Sequence, residues 1–375
     1  MRHSTPDRIV TALLLTAAAS SARAQEPSLA AARALEAAFS RGEEAAFVAA
    51  FDTEAFYERA LPGAAETQAF EQAAQVGQRL AANVTTAVEA GASYRLLRIR
   101  VVDGAERAVF RLLRPEGSFN YHELLLASRD GAVRVEDVYV ATAGEWMSQS
   151  VGRAMQLARA TLDPGLVARL TGADRELVES AALMRDYSSL LTARRFPEAR
   201  AVYDKLPASV QGSKSILLGA IAAAGSDEEA YMRTVERFER LFPDDPALDV
   251  VLIDYYYARK SYPDALERLQ SLSRYLDGDA YLQTLAATMQ TLMGDPVAAR
   301  RSLEAAIAME PGLPDPYWAL VELQLGERDW AGTVATLRAI ERDAGVRLGD
   351  LTGGAVYAEF LKTDEYREWM EARRR

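Results

Sequence analysis

Apolar residues recur at helical spacing up to about residue 90, alternate with polar ones to residue 140, and then return to helical spacing. Segment Ser28–Arg41 places Leu29, Ala32, Leu35 and Phe39 on one helical face, and Glu43–Ala60 and Thr67–Ala90 read as two further helices. From Tyr94 the period becomes two. Segments Tyr94–Val102, Arg107–Arg114, Phe119–Ala127 and Ala132–Val140 read as four strands. They are joined through Asp103-Gly104, Pro115-Glu116-Gly117 and Arg129-Asp130-Gly131, short glycine turns of hairpin type, so the strands form an antiparallel meander. Val133 and Val135 keep one phase while Val138 and Val140 keep the other, and a bulge near Glu136-Asp137 reconciles them. Met147, Val151, Met155 and Leu157 then predict a helix that ends near Asp163-Pro164 and joins two parts. The expected fold class is an α+β N-terminal domain (28–145), connecting helices (146–178) and an all-α region of helical repeats (179–375).

The second part has its own grammar. Pro246–Leu276 places Leu252, Ile253 and Tyr256 before a polar turn, followed by Tyr262, Ala265 and Leu269. Ala280–Gly312 repeats the scheme with Ala286-Ala287, the turn Gly294-Asp295, Ala299, Leu303 and a closing Pro311. Two short helices cannot bury their apolar faces alone, so such units must stack, with small residues setting how closely they approach. The two segments resemble the tetratricopeptide repeat (TPR) family, whose period is roughly 34 residues. Weaker copies are Tyr317–Ile340, with Val321 and Thr333 at the small positions, Ser215–Pro243, and Ala181–Leu206. Leu348–Met370 reads as a capping pair carrying Tyr357, Phe360, Tyr366 and Trp369. The resemblance implies a TPR-like solenoid, a scaffold that holds a protein or peptide, with the first helices of successive units lining its groove. The residues it assigns to that face are Asp254 and Tyr257, then Tyr281, Thr284 and Thr288, then Trp318 and Glu322. Tyr255, Tyr256 and Tyr257 cannot all face inward, because successive helical residues are about 100° apart.

Helices followed by a curved antiparallel sheet are similar to the cone-shaped nuclear-transport-factor-2-like fold. The run Gly117-Ser118-Phe119-Asn120-Tyr121-His122-Glu123, followed by Asp137-Val138-Tyr139-Val140, carries that resemblance. The family includes enzymes, small-ligand binders and interaction modules, so the fold transfers no activity. Family enzymes use a His, Asp or Tyr inside the cone, which makes His122, Asp137 and Tyr121 the catalytic candidates. Alternation sets His122 on the face of Asn120 and Leu124, opposite Tyr121 and Glu123. A His122–Asp137 pair across adjacent strands would supply an oriented base.

The remaining features set the setting. Arg2 and Arg8, the apolar run Ile9–Ala19 and the small-residue site Ala22-Arg23-Ala24 read as a secretory signal peptide (1–24) cleaved after Ala24. No later segment approaches the roughly 20 apolar residues of a membrane span, so no integral span is expected. Only Lys205, Lys214, Lys260 and Lys362 are lysines among 43 basic residues, and cysteine is absent. Arginine- and alanine-rich usage points to a bacterial, periplasmic or secreted protein. Cleavage removes three arginines and Asp7, taking the formal net charge from −11 to −13. That charge disfavours nucleic acid, whose phosphates call for a basic face. His122 is the one histidine after the signal, so no metal cluster is expected. No nucleophile elbow or phosphate loop is present, and no cofactor is expected. The resulting expectation is an exported, non-enzymatic adaptor for a protein or peptide of the cell envelope. The alternative is small-ligand binding or lyase/isomerase-type chemistry in the cone-like domain.

Overall fold

The computed structural model describes residues 25–63, 67–162, 172–225, 227–243 and 245–374. The expected signal peptide therefore lies outside the described residues, as does the stretch after Leu162 where the connecting helix was to end. An N-terminal antiparallel sheet with its helices is followed by a long all-helical region.

Helix α1 (25–40) leads into α2 (Glu44–Ala50), α3 (Thr53–Ala60) and α4 (Thr67–Glu89). The single helix expected over Glu43–Ala60 is broken at Phe51-Asp52. Asp52 caps α3 by accepting the Ala55 amide at 2.9 Å, and its own amide donates to the Val135 carbonyl at 2.8 Å. A local cap and a tertiary bond together outweigh helix continuity there.

The sheet has the order β1 (Ser93–Val102), β2 (Ala105–Leu113), β3 (Phe119–Arg129), β4 (Ala132–Val140) and β5 (Glu145–Trp146), all neighbours antiparallel. The fifth strand corrects the four-strand expectation. Two residues are too short to show a period, and β5 is held by its pairing to Tyr139 and Val140. The expected bulge is present. Leu125 pairs with Asp137 and Leu126 with Val135, which leaves Glu136 as the extra residue. It lets both Val135 and Val138 enter the core. There they meet Phe110, Leu112 and Leu124 from the sheet and Leu35, Phe39, Phe56, Leu80 and Val84 from the helices.

The chain divides into two compact units. The first includes the sheet and ends at Leu248, and the second is Asp249–Arg375. Within the first unit, a side chain at Gly144, in the turn after β4, would meet Lys214, Ala247 and Leu218. Helix α5 (Met147–Leu162) contributes Arg153, whose guanidinium pairs with Glu145 at 2.5 Å and reaches Ser215 at 3.4 Å. The first helical hairpins are therefore built onto the sheet domain.

Helical hairpins recur at the expected period. Four second helices start at Glu228, Tyr262, Pro296 and Trp330, each 34 residues after the last. Three of them open on an aspartate cap: Asp227, Asp295 and Asp329 each accept the amide three residues on, at 3.0, 2.9 and 2.9 Å. Equivalent positions are buried in every copy. Tyr231, Ala265, Ala299 and Thr333 form one series, Val235, Leu269, Leu303 and Leu337 the next, and Phe238, Leu272, Ala306 and Ile340 the third. Within the second unit, Ala280–Leu292 packs on Pro296–Met309, and both pack on Asp315–Glu327. Burial at Ala299 leaves no room for a larger side chain. Ala299→Leu should lower unfolding stability by about 1–3 kcal/mol, read as a drop in the urea midpoint at constant slope. Substituting the neighbouring, less buried Ala298 should leave it nearly unchanged.

The expected C-terminal capping pair is half irregular. Residues 346–354 carry no helix, two 3₁₀ turns follow (Ala355–Tyr357 and Phe360–Lys362), and only Asp364–Arg374 is α-helical. Phe360 and Trp369 still close the end, packed in one cluster with Tyr317, Val321, Leu337 and Ile340.

Candidate functional site

His122 lies on the core face of β3, as alternation required, and is 5 % exposed. Its Nδ1 lies 3.1 Å from Tyr94 Oη and its Nε2 3.4 Å from Asn120 Nδ2. The Asn120 amide is oriented by two backbone donors, since its Oδ1 accepts from Tyr121 N at 2.8 Å and Thr142 N at 3.1 Å. Its Nδ2 must therefore donate to Nε2, which places the imidazole proton on Nδ1, donating to Tyr94 Oη. Tyr94 is itself stacked on Phe110 with centroids 4.8 Å apart and set edge-on to Phe39 at 5.1 Å. Burial, with the Arg114 charge adding to it, pushes the His122 pKa down to about 4. At neutral pH the ring is uncharged and hydrogen-bonded through both nitrogens within the core.

Asp137 stands on the opposite face. His122 pairs with Val140 and Leu124 with Val138, so the core face of β4 carries Val138 and Val140 and turns Asp137 away. The expected His122–Asp137 pair is not made; the bulge at Glu136 leaves Asp137 in the phase opposite to His122. The Asp137 carboxylate instead accepts from Ser148 N at 3.1 Å, Ser148 Oγ at 2.5 Å and Val138 N at 2.8 Å, closing the first turn of α5. Burial raises its pKa against the pull of those donors. Tyr121 is buried on that same second face, its ring 5.8 Å from Phe119. Glu136, the bulged residue, accepts from Arg129 at 2.8 Å and Arg59 at 2.9 Å, and Arg129 also reaches Asp52 at 3.1 Å. Burial works to raise the Glu136 pKa, but the two arginines overcome it and hold it low. The three catalytic candidates are thus divided between two faces of the sheet.

The helical region holds a different kind of feature. A groove of about 490 Å³ opens between Ala280–Leu292, Pro296–Met309 and Asp315–Glu327. Ala287, Leu303, Ala319 and Leu323 line it, with Thr288, Thr291, Leu292 and Pro296 on one wall and Glu322, Gly326 and Glu327 on the other. Thr291 Oγ1 donates to the Ala287 carbonyl at 2.9 Å and Thr288 Oγ1 to Thr284 at 3.2 Å. Their polar ends are satisfied inside the helix, which leaves the wall effectively apolar. Apolar exposure continues around the hairpin turn, where Leu292 is 46 %, Met293 40 % and Val297 61 % exposed. Glu327 pairs with Arg300, while Glu322 stands exposed on the lip.

Two of the residues assigned to the partner face, Thr288 and Glu322, line this groove. Asp254 and Tyr257 are exposed, Tyr257 by 49 %, but do not line the groove. Tyr255 is buried and Tyr256 half-buried, so the tyrosine run divides as helical geometry demands. Tyr281 and Thr284 are corrections. Ala280, Tyr281 and Leu282 are consecutive and all buried, so this helix end is enclosed all round, and Thr284 Oγ1 donates to the Ala280 carbonyl at 2.9 Å. Trp318 is half-buried against the cluster of Tyr317 and Val321. Sequence reasoning missed Leu292, Pro296 and Leu323. The available signal was an apolar pair, Leu292-Met293, and Pro296-Val297 flanking a Gly-Asp turn, where polar residues are the rule.

No family model matches the chain, and no curated protein matches it. Among the described residues no helix is long and apolar enough to cross a membrane.

Proposed function

We propose that this chain is an exported, non-catalytic adaptor whose helical hairpins hold a protein or peptide partner in the bacterial cell envelope. The observation that carries the reading is the apolar groove walled by Thr288, Thr291, Leu292 and Leu323 in a region of 34-residue hairpins. The tetratricopeptide resemblance supports it, as does the signal-like N-terminus. Exposed apolar residues beside a groove cost solubility unless something covers them. A partner presenting two or three apolar side chains would bury Leu292 and Val297, and a basic residue beside them would meet Glu322. Chemistry in the N-terminal domain is the weaker reading, because His122 is hydrogen-bonded through both ring nitrogens inside a packed core.

Replacing Leu292 and Val297 with aspartate tests this directly. Both are exposed, so the unfolding midpoint should stay within experimental error of the parent. The mature chain carrying both substitutions, immobilised and exposed to its own envelope extract, should lose a partner that the parent retains. Retention of the same partner by the double variant would overturn the groove assignment.

A further inference from the structure

A second cleft, of about 490 Å³, opens between Phe196–Tyr203 and Glu228–Leu241, floored by Ala220, Ala224 and Ala230. Four arginines line it, and they are not equivalent. Arg200 pairs with Asp227 at 2.6 Å and Arg233 with Glu229, so those two charges are neutralised at the lip. Arg237 is held in place by neutral acceptors: the Gln211 side-chain carbonyl at 2.8 Å, the Ala208 carbonyl at 3.0 Å and Tyr203 Oη at 3.4 Å. Among the described residues no carboxylate pairs with it. The side chains of Arg240, Asp204 and Glu236 also line the cleft, and among the described residues they form no hydrogen bond or ion pair.

We infer that this cleft binds a zwitterionic small ligand, a short peptide with free ends. The cleft presents two guanidinium groups and two carboxylates that do not satisfy one another. A guanidinium oriented by neutral acceptors keeps its charge for an incoming anion and needs no reorganisation to meet it. Arg237 and Arg240 take the terminal carboxylate, and Asp204 and Glu236 take the terminal ammonium. A uniformly anionic ligand would meet Asp204 and Glu236 and be repelled, and a uniformly cationic one would meet the arginines. The alanine floor offers no deep apolar pocket, so recognition falls on the ends and main chain of the ligand, not on a large side chain. A tripeptide, about 10 Å long when extended, suits a cleft in the usual small-ligand range of about 300–1,000 Å³.

The test uses the full chain and three probes followed by calorimetry: Ala-Ala-Ala with free ends, its N-acetylated form and its C-terminal amide. The free tripeptide should bind saturably, and each blocked form about tenfold more weakly, as expected for a lost charged hydrogen bond. Arg240→Gln, which removes no internal bond, should shrink the penalty of amidation while Arg237 keeps part of it. Glu236→Gln should shrink the penalty of acetylation while Asp204 keeps part of it. Arg237→Gln, which also unties the turn at Ala208, is a second variant for the carboxylate end. Absence of saturable binding by the free tripeptide overturns the assignment. So do equal affinities for the three probes, or an amidation penalty that is undiminished in both arginine variants. None of these results bears on the groove around Leu292, which lies on other helices.

Discussion

Gly152→Val should unfold the N-terminal domain at temperatures where the parent is intact, and Gly152→Ala should weaken it by about 3 kcal/mol. Gly152 lies within α5, and a Cβ built there would stand 2.3 Å from the carbonyl oxygen of Ala60, the last residue of α3, and 3.2 Å from its carbon. Two effects oppose each other. Alanine in place of glycine favours a helix interior by about 1 kcal/mol through reduced backbone freedom. The clash is with backbone, which cannot rotate away as a side chain can, so α3 and α5 must separate along their contact. Overpacking costs of about 1–3 kcal/mol are usual where side chains can give way, and here they cannot. The clash therefore wins. The measurement is chemical denaturation followed by circular dichroism, with Ala154→Val, an exposed site in the same helix, as the control. Equal midpoints for Gly152→Ala and the parent would show that α3 and α5 are not in this contact.

The second large effect is on acid stability, and its sign follows from His122. Its pKa falls from 6.5 to about 4 on folding, with burial the main cause. The unfolded chain therefore binds more protons throughout that interval, and stability declines as pH falls from about 6.5 to about 4. The shift corresponds to roughly 3 kcal/mol at the acid end of the window. The hydrogen bonds give the mechanism. Asn120 donates to Nε2, so a proton added there would set two donors against each other, in a core that also feels Arg114. Asp137 works in the opposite direction, because its raised pKa makes the folded state the better proton binder as pH falls. His122→Gln removes the first term and leaves the second. Urea midpoints of parent and variant should therefore diverge at neutral pH and converge toward pH 4. Parallel profiles would show that His122 does not govern the acid limb.

Much of the architecture was legible because it is local or periodic. The four long strands announced themselves by alternation between glycine turns, and even the bulge showed, since Val135 and Val138 could not both be buried without an extra residue at Glu136. The 34-residue period was equally open, because Ala265, Ala299 and Thr333 occupy a position where helix packing tolerates little bulk. Three things were not legible. The break between α2 and α3 depends on a bond from Asp52 to Val135, far along the chain. Strand β5 exists only through its pairing. The candidate site was read least well, for the same reason: Thr288 and Glu322 were placed on the groove, but Tyr281 and Thr284 were set on an open face that packing closes.

Pattern along the chain determined the class of the long strands and of most helices, and the register of the repeats, since these depend on neighbours within a few residues. The tertiary structure alone decided which polar groups meet: it paired His122 with Tyr94 and Asn120 and gave Asp137 to Ser148. It also decided which apolar residues stay uncovered, leaving Leu292 and Val297 beside a groove while enclosing Tyr281. The physical reason is range. Periodicity reports which side of an element faces inward, whereas a site is made by groups from distant segments whose distances no local pattern contains.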